Sequence, residues 1–345
     1  MTTKGIIRNI KAWNDLYFKN CYYSALFPVI LQFKKSITPV LLNDIYTYKE
    51  GDDSTQGFIS MEHQSIKEMD DILKDMGINS QVKSTTNVIQ ELKNSIDANR
   101  PVLLFIDCFY EKIRFDAYNK HHWVHIVLVY GYDDEIQAFD ILEHKYATGF
   151  TYDEFKFSYE DAQNCYEGYL RNLSRTDFTG YIEYSLDPEF KDREYTPDDE
   201  KNNIASFIDT ITSRKTDIFE GIATLRTFAD NFEDRVLNNN LFSDKNMVEK
   251  INQQLNHFRV SKSVERYRLL KVFGEGNPAA ALADELLEHW GYIAGVFGKC
   301  GNSEKLNKAY SDSITKKVKN LPELEERYFT SLFQVLEEWR VKTCD

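Results

Sequence analysis

Cysteine is sparse and uneven in this sequence. The 345 residues contain five, Cys21, Cys108, Cys165, Cys300 and Cys344. The number is odd and no two form a C-x-x-C pair, which excludes a disulfide scaffold and a zinc ribbon. The expectation is a reduced, cytoplasmic protein with scattered thiols, one of which can be a nucleophile. Positive charge is also short: 42 Lys and Arg stand against 55 Asp and Glu, a net charge of −13. Nucleic acid and anionic membranes, which need positive surface, are therefore not expected partners. No apolar run reaches the roughly 18–20 residues that span a bilayer. The first residues, Met1 to Arg8, hold no apolar stretch of signal-peptide length. What is plentiful is aromatic side chain, 14% of the residues, which excludes low-complexity and disordered chains.

The length suggests two domains, and the pattern of apolar residues divides the chain accordingly. Residues Cys21 to Lys34 space Leu26, Val29, Ile30 and Phe33 as a helix, with Asn20 as N-cap and Pro28 as a kink or a second start. Ser60 to Met76, closed by Gly77, and Thr86 to Ala98 read as two further helices. Then the period shortens. Pro101 to Tyr110, Trp123 to Tyr130, Ile136 to Leu142 and Thr179 to Leu186 read as strands, with a turn at Gly131 to Glu135. Asp187 to Lys201 is charged, carries two prolines and marks the boundary. Beyond it every stripe is helical. Asn277-Pro278 and Pro322 are expected to open the last two helices. No fixed-period repeat is present, so the second half is a bundle.

Chemistry concentrates between His125 and Asp140. If a hairpin turns at Gly131 to Glu135, His125 and Asp140 lie about the same distance from the turn. Asp140 can then hydrogen-bond one imidazole nitrogen and leave the other as a base. Cys21, at the N-terminal end of an apolar helix, is the candidate nucleophile, because unpaired N–H groups and the helix dipole favour thiolate there. A helix-terminal Cys, then a strand-borne His, then an acid is cysteine-peptidase logic.

The stretch Tyr118 to Asp133 (YNKHHWVHIVLVYGYD), with Asn20-Cys21-Tyr22 upstream, resembles the family of butirosin biosynthesis protein H. It is also similar to the cysteine-protease-homologous amide synthetase of closthioamide-type thiotemplated assembly lines. The resemblance covers roughly the first 185 residues. It implies an α+β, papain-like cysteine protease fold over residues 1–190, followed by an all-helical domain over 200–345 that docks a carrier or covers the site. It implies an acyltransferase or amide synthetase, not a peptidase. Cys21 would take an acyl group from a carrier-protein thioester, His125 would be the base and Asp140 its orienter, and an amine would receive the acyl group. No cofactor is expected beyond the phosphopantetheine of the partner carrier protein. Papain-like enzymes place an oxyanion-donating Gln about six residues before the Cys. Here Asp15 stands there, and an ionised carboxylate cannot donate, so Asn14 or the Cys21 N–H is expected to serve.

Plainer readings stand beside these. A cysteine opening an apolar helix is usually a core residue. The basic segment Arg259, Lys262, Arg266, Arg268 and Lys271 is either a solvated helix face or a dock for an acidic carrier protein. His121-His122-x-x-His125 does not suggest a metal, since strand alternation sends His122 to the opposite face from the other two. A plain cysteine hydrolase would use the same three residues, and a non-catalytic scaffold on a decayed papain-like fold would use none.

Overall fold

The computed structural model describes residues 3–52, 55, 57–144, 151–174, 180–238, 244–303 and 308–344. The architecture is α+β, an antiparallel sheet in one part and helices in the other. The chain divides into two compact units, Met1–Ile37 with Glu68–Thr196, and Thr38–Lys67 with Pro197–Asp345. The expected cut between 190 and 200 is therefore only one of the crossings. The segment Thr38–Lys67, expected in the first domain, folds with the helices. No helix among the described residues is long and apolar enough to cross a membrane.

The first unit is built on one sheet. Its strands are β1 (Lys4–Ile6), β4 (Ile78–Lys83), β5 (Val102–Asp107), β6 (Val124–Asp133), β7 (Ala138–Glu143), β8 (Asp153–Ser158) and β9 (Tyr181–Leu186). They lie in the order β4-β9-β5-β6-β7-β8, with β1 paired to the far end of β6. All pairs are antiparallel. β5 is buried along its whole length, as its unbroken apolar sequence requires of a central strand. Thr179, placed in the last strand by the sequence pattern, lies outside the described residues. Helix α1 (Cys21–Gln32) packs on β5 and β6, and α4 (Val88–Asp97) and α5 (Tyr159–Asn172) also pack against the sheet. Pro28 neither kinks α1 into two helices nor ends it; the helix runs through it.

The hairpin between β6 and β7 departs from expectation. Gly131 is not the turn. β6 continues through Tyr132 to Asp133, and the chain reverses over 134–137. Gly131 faces Asp140, whose Oδ2 lies 2.8 Å from where a Cβ on residue 131 would stand. The glycine is needed for that close approach, and the strand carries a register shift between Val129 and Gly131.

The second unit begins with a short helix, α2 (Thr38–Leu41), and a hairpin whose second strand falls in the stretch Ser60 to Met76 that sequence periodicity read as helix. β2 (Ile45–Lys49) pairs with β3 (Ser60–Gln64), and only Met69–Asp75, α3 of the first unit, is helical in that stretch. The hairpin is covered by α6 (Pro197–Ser213), α7 (Lys215–Asp230), α8 (Lys245–Phe273), α9 (Pro278–Ser303) and α10 (Lys308–Cys344). Pro278 opens α9 as expected, but Pro322 lies inside α10. Gly221 of α7 lets the backbone of Tyr48 approach; a Cβ there would stand 2.8 Å from its nitrogen.

Polar groups lock this hairpin. Lys262 of α8 is fully buried, and its Nζ donates to Glu325 Oε2 at 2.6 Å and to the Tyr46 hydroxyl. Tyr48 donates to the other oxygen of Glu325. The ammonium also lies over the rings of Tyr46, Tyr328 and Phe329 at 4.6, 4.8 and 5.7 Å. Burial lowers the Lys262 pKa, and Glu325 opposes that shift. His63 adds a clasp, with Nδ1 2.8 Å from Asp44 and Nε2 3.1 Å from Ser261 Oγ. That order resembles a serine relay. However, Ser261 sits mid-helix with its hydroxyl on the His257 carbonyl, where backbone N–H groups are already spent and cannot hold an oxyanion.

Removing one partner of a buried ion pair leaves a bare charge, at about 3–5 kcal/mol. Glu325→Leu is expected to destabilise the protein by that order in urea denaturation. Lys262→Met with Glu325→Leu is expected to recover most of the loss. Equal destabilisation by the single and double variants would show that the pair is not what holds the hairpin.

Candidate active site

Helix α1 opens at Cys21. Asn20 caps it, its side chain accepting from the Tyr22 N–H at 3.0 Å. The N–H of Cys21 has no intrahelical acceptor, as at any helix start. α1 lies on the face of the sheet to which β6 turns His125, and the thiol meets the imidazole there, in hydrogen-bond contact. The Ile126 N–H also reaches the sulfur. Burial alone raises the thiol pKa. The charge and hydrogen bond of His125, with the Ile126 N–H, outweigh burial and the opposing charge of Glu143, so the Cys21 pKa falls below its ordinary value. Cys108 and Cys165 have no such neighbour, and burial pushes both far up. Burial also raises Cys300. The side chain of Cys344 lies outside the described residues.

The carboxyl beside His125 is Glu143, not Asp140. His125 Nε2 lies 3.0 and 2.9 Å from the two oxygens of Glu143, which is fully buried at the end of β7. Asp140 pairs across the sheet with Lys156 of β8 instead. The cause is the hairpin. With the turn at 134–137, Asp140 faces Gly131, six residues along β6 from His125, roughly 20 Å at about 3.3 Å per residue. Glu143 shares the strand parity of Ile141, which is paired with Val129, so it belongs to the His125 face.

The surroundings are ordered by Arg114, also buried. It grips Asp116 through Nε at 3.0 Å and Nη2 at 2.9 Å, and points Nη1 to His144 Nε2 at 3.2 Å and Glu143 at 3.8 Å. Its guanidinium lies 5.5 Å from the ring centre of Trp123, an exposed residue that shares the His125 parity. The His144 N–H donates to Glu143 at 2.6 Å. Burial pushes the Glu143 carboxyl up to about 8, while the His144 N–H and Arg114 favour its anion. His125, Glu143 and His144 can bring three ligand atoms within 4.8 Å of one another. A cation there would meet the Arg114 guanidinium, whose Nη1 already engages His144 and Glu143, so the donor set does not fit a metal.

Two other sequence expectations fall away. Asn14 is committed, its amide donating to the Tyr152 carbonyl at 2.9 Å and accepting from the Tyr152 N–H at 2.8 Å. That leaves the Cys21 N–H as the oxyanion donor the sequence proposed. The basic segment is no patch. Lys262 is interior, Arg268 is buried on Glu265 and the Asp44 carbonyl, and Arg266 pairs with Asp284. Arg259 and Lys271 are left as exposed cations. His122, on the opposite face, binds the buried Asp107 at 2.7 Å and stacks on Phe109.

A thiol, an imidazole and a buried carboxyl on an antiparallel sheet form a cysteine-nucleophile constellation. Residues 46–144 match the family described as butirosin biosynthesis protein H, N-terminal, and over that stretch the chain is butirosin biosynthesis protein H-like. The match takes in His125 and Glu143 and begins after Cys21. No curated protein matches the chain.

Glu143→Gln is expected to lower turnover by at least about tenfold, the scale of a disturbed general base. Asp140→Asn should leave it within about twofold. Iodoacetamide labelling of Cys21 should have its midpoint below the ordinary thiol value of about 8.5, the rate falling as pH drops through that midpoint. The reverse ranking of the two acids, or a midpoint at or above the ordinary value, would contradict this assignment.

Proposed function

We propose that the protein is a biosynthetic acyltransferase of natural-product assembly, on a papain-like catalytic unit. It moves an acyl group from a carrier-protein thioester through Cys21 to an amine. The observation that carries this reading is the hydrogen-bonded Cys21–His125–Glu143 series at a helix N-terminus. The butirosin biosynthesis protein H-like stretch supports its biosynthetic setting.

Each residue has a role in the sequence of bonds. The Cys21 thiolate attacks the thioester carbonyl carbon. The developing oxyanion accepts a hydrogen bond from the Cys21 N–H. The carbon–sulfur bond to phosphopantetheine breaks, and the leaving thiolate takes the proton of the His125 imidazolium. The acyl group now rests on Cys21. The incoming amine attacks the same carbon and gives its proton to His125 Nδ1, the nitrogen not held by Glu143. The bond to Cys21 breaks, leaving an amide and the thiolate–imidazolium pair. Glu143 holds the ring and offsets its charge whenever it is protonated. Thioester exchange is nearly isoenergetic and amide formation is downhill, so no nucleotide is consumed. Amine must be preferred over water, which requires a shielded acyl-enzyme.

Intact-mass spectrometry with an acylated carrier protein tests the first step. Wild type should gain one acyl mass and Cys21→Ala none, and added amine should discharge the adduct as amide. Free acid as the product, with amine present, would establish a hydrolase. A folded wild-type protein that neither gains mass nor consumes thioester across several acyl groups would favour the scaffold reading.

A further inference from the structure

Two imidazoles stand at this site, and the transfer steps use one. His144 is buried directly after β7, its ring centre 5.1 Å from that of His125 and its plane at 73° to it. Both rings adjoin Glu143, so nearness to the acid does not decide which is the base. Hydrogen bonding does. Arg114 Nη1 stands 3.2 Å from His144 Nε2. A guanidinium has only donors and stays charged in proteins. Nε2 must therefore accept, which a ring nitrogen does only when it carries no proton. The rival partner of Nε2, Glu143 Oε1, is 3.6 Å away, beyond hydrogen-bond length. His125 meets the acid instead, with its Nε2 3.0 and 2.9 Å from the two oxygens.

Arg114 is not free to turn away from His144. Asp116 takes Nε at 3.0 Å and Nη2 at 2.9 Å as a fork, and the ring of Trp123 lies across the guanidinium at 5.5 Å. The charged and titratable groups facing the His144 ring come from four segments. Arg114 and Asp116 are on the loop after β5 and His125 is on β6. Glu143 closes β7, and Tyr152, with its ring centre 4.9 Å away, leads into β8. Arg114 is also within electrostatic reach of Cys108 and the buried Glu111 at the end of β5, and of Tyr17 ahead of α1. A proton added to His144 Nε2 would set donor against donor and cation against cation in a buried place.

We propose that Arg114 is a positioning residue that selects His125 over His144 as the base. It holds His144 neutral, with the ring proton on Nδ1, so that the proton taken from Cys21 has one imidazole to rest on. A lysine would not do the same, because a single ammonium cannot grip Asp116 with one edge and address His144 with another. The inference rests on the Cys21–His125–Glu143 geometry but not on acyl transfer, so its test needs no acyl donor and can fail separately.

The experiment is nitrogen-15 NMR of the full-length protein labelled at histidine, with the His144 signals identified by comparison with His144→Gln. Wild type should show His144 protonated at Nδ1 and bare at Nε2, unchanged as the pH falls through the ordinary imidazole value of about 6.5. A proton on Nε2 at neutral pH, or titration of His144 near that value, would overturn the proposal. In Arg114→Met, His144 should titrate there, and the pH profile of iodoacetamide labelling at Cys21 should gain an inflection at the same pH. An arginine that merely fills space would leave both unmoved, and a folded Arg114→Met whose His144 stays neutral would equally overturn the proposal. Where Arg114→Met does not fold, the wild-type spectrum decides by itself.

Discussion

The ring of His125 is the point on which the site depends. The ring meets the Cys21 thiol, and its Nε2 lies against Glu143. Neither contact survives if β6 slips, because a one-residue slip would turn the ring to the opposite face of the sheet. The register is therefore fixed from both sides. β5 holds β6 through six residue pairs, from Val102–Val129 to Asp107–Val124, and β1 and β7 hold its far end. α1 lies on the same two strands, so the element that carries the thiol is aligned by the strands that align the imidazole. The central sheet thus acts as the positioning device, and burial of its apolar strands supplies the rigidity.

Two buried ionisable clusters, one in each unit, are matched with different completeness. In the helical unit, Lys262 is matched by Glu325 and two tyrosine hydroxyls surround the pair. Glu265 is matched by Arg268 and Tyr328. A fully matched network rigidifies and specifies a fold. In the sheet unit the accounting does not close: Arg114 is spent on Asp116 and His144, Glu143 holds His125, and Glu111 has nothing of comparable strength. Incomplete matching in a buried cluster costs stability, and such clusters concentrate where chemistry requires shifted protonation. The incomplete cluster is the one beside the only cysteine among those described whose pKa is driven down.

Cys21 and His125 were legible because each sits where a local rule speaks, a helix start in one case and an apolar strand in the other. Glu143 was not. Its selection depends on where the hairpin turns, and Gly131 imitates a turn glycine while serving a close cross-strand approach to Asp140. The expected turn at 131–135 stands about three residues before the observed one at 134–137, and that shift moved the expected acid three residues, from Glu143 to Asp140. The basic segment misled for a different reason. Charge on a helix reads as solvated, and nothing local to Lys262 or Arg268 reveals that Glu325, Tyr46 and the Asp44 carbonyl lie against them. The hairpin Ile45–Gln64 was hidden in the same way. Its strands are short, and the apolar spacing that follows at Met69 to Met76 extends a helical reading backward over β3.

That hairpin also bears on what the catalytic part is. Tyr46, Tyr48 and Phe58 are buried among the helices of the second unit, and the chain enters and leaves that unit before the strands of His125 and Glu143 are reached. The family match starts at residue 46, inside the hairpin, and ends at 144, one residue past the acid. The shared stretch therefore joins a piece of the helical unit to the histidine and carboxyl of the sheet unit. A chain ending at residue 196 would leave the aromatic residues of the hairpin without their cover, and its loss of activity would report misfolding as readily as a missing functional domain. Substitutions that spare the Lys262–Glu325 core are the means of separating the two, because they leave the hairpin seated while altering the outer surfaces of the helices.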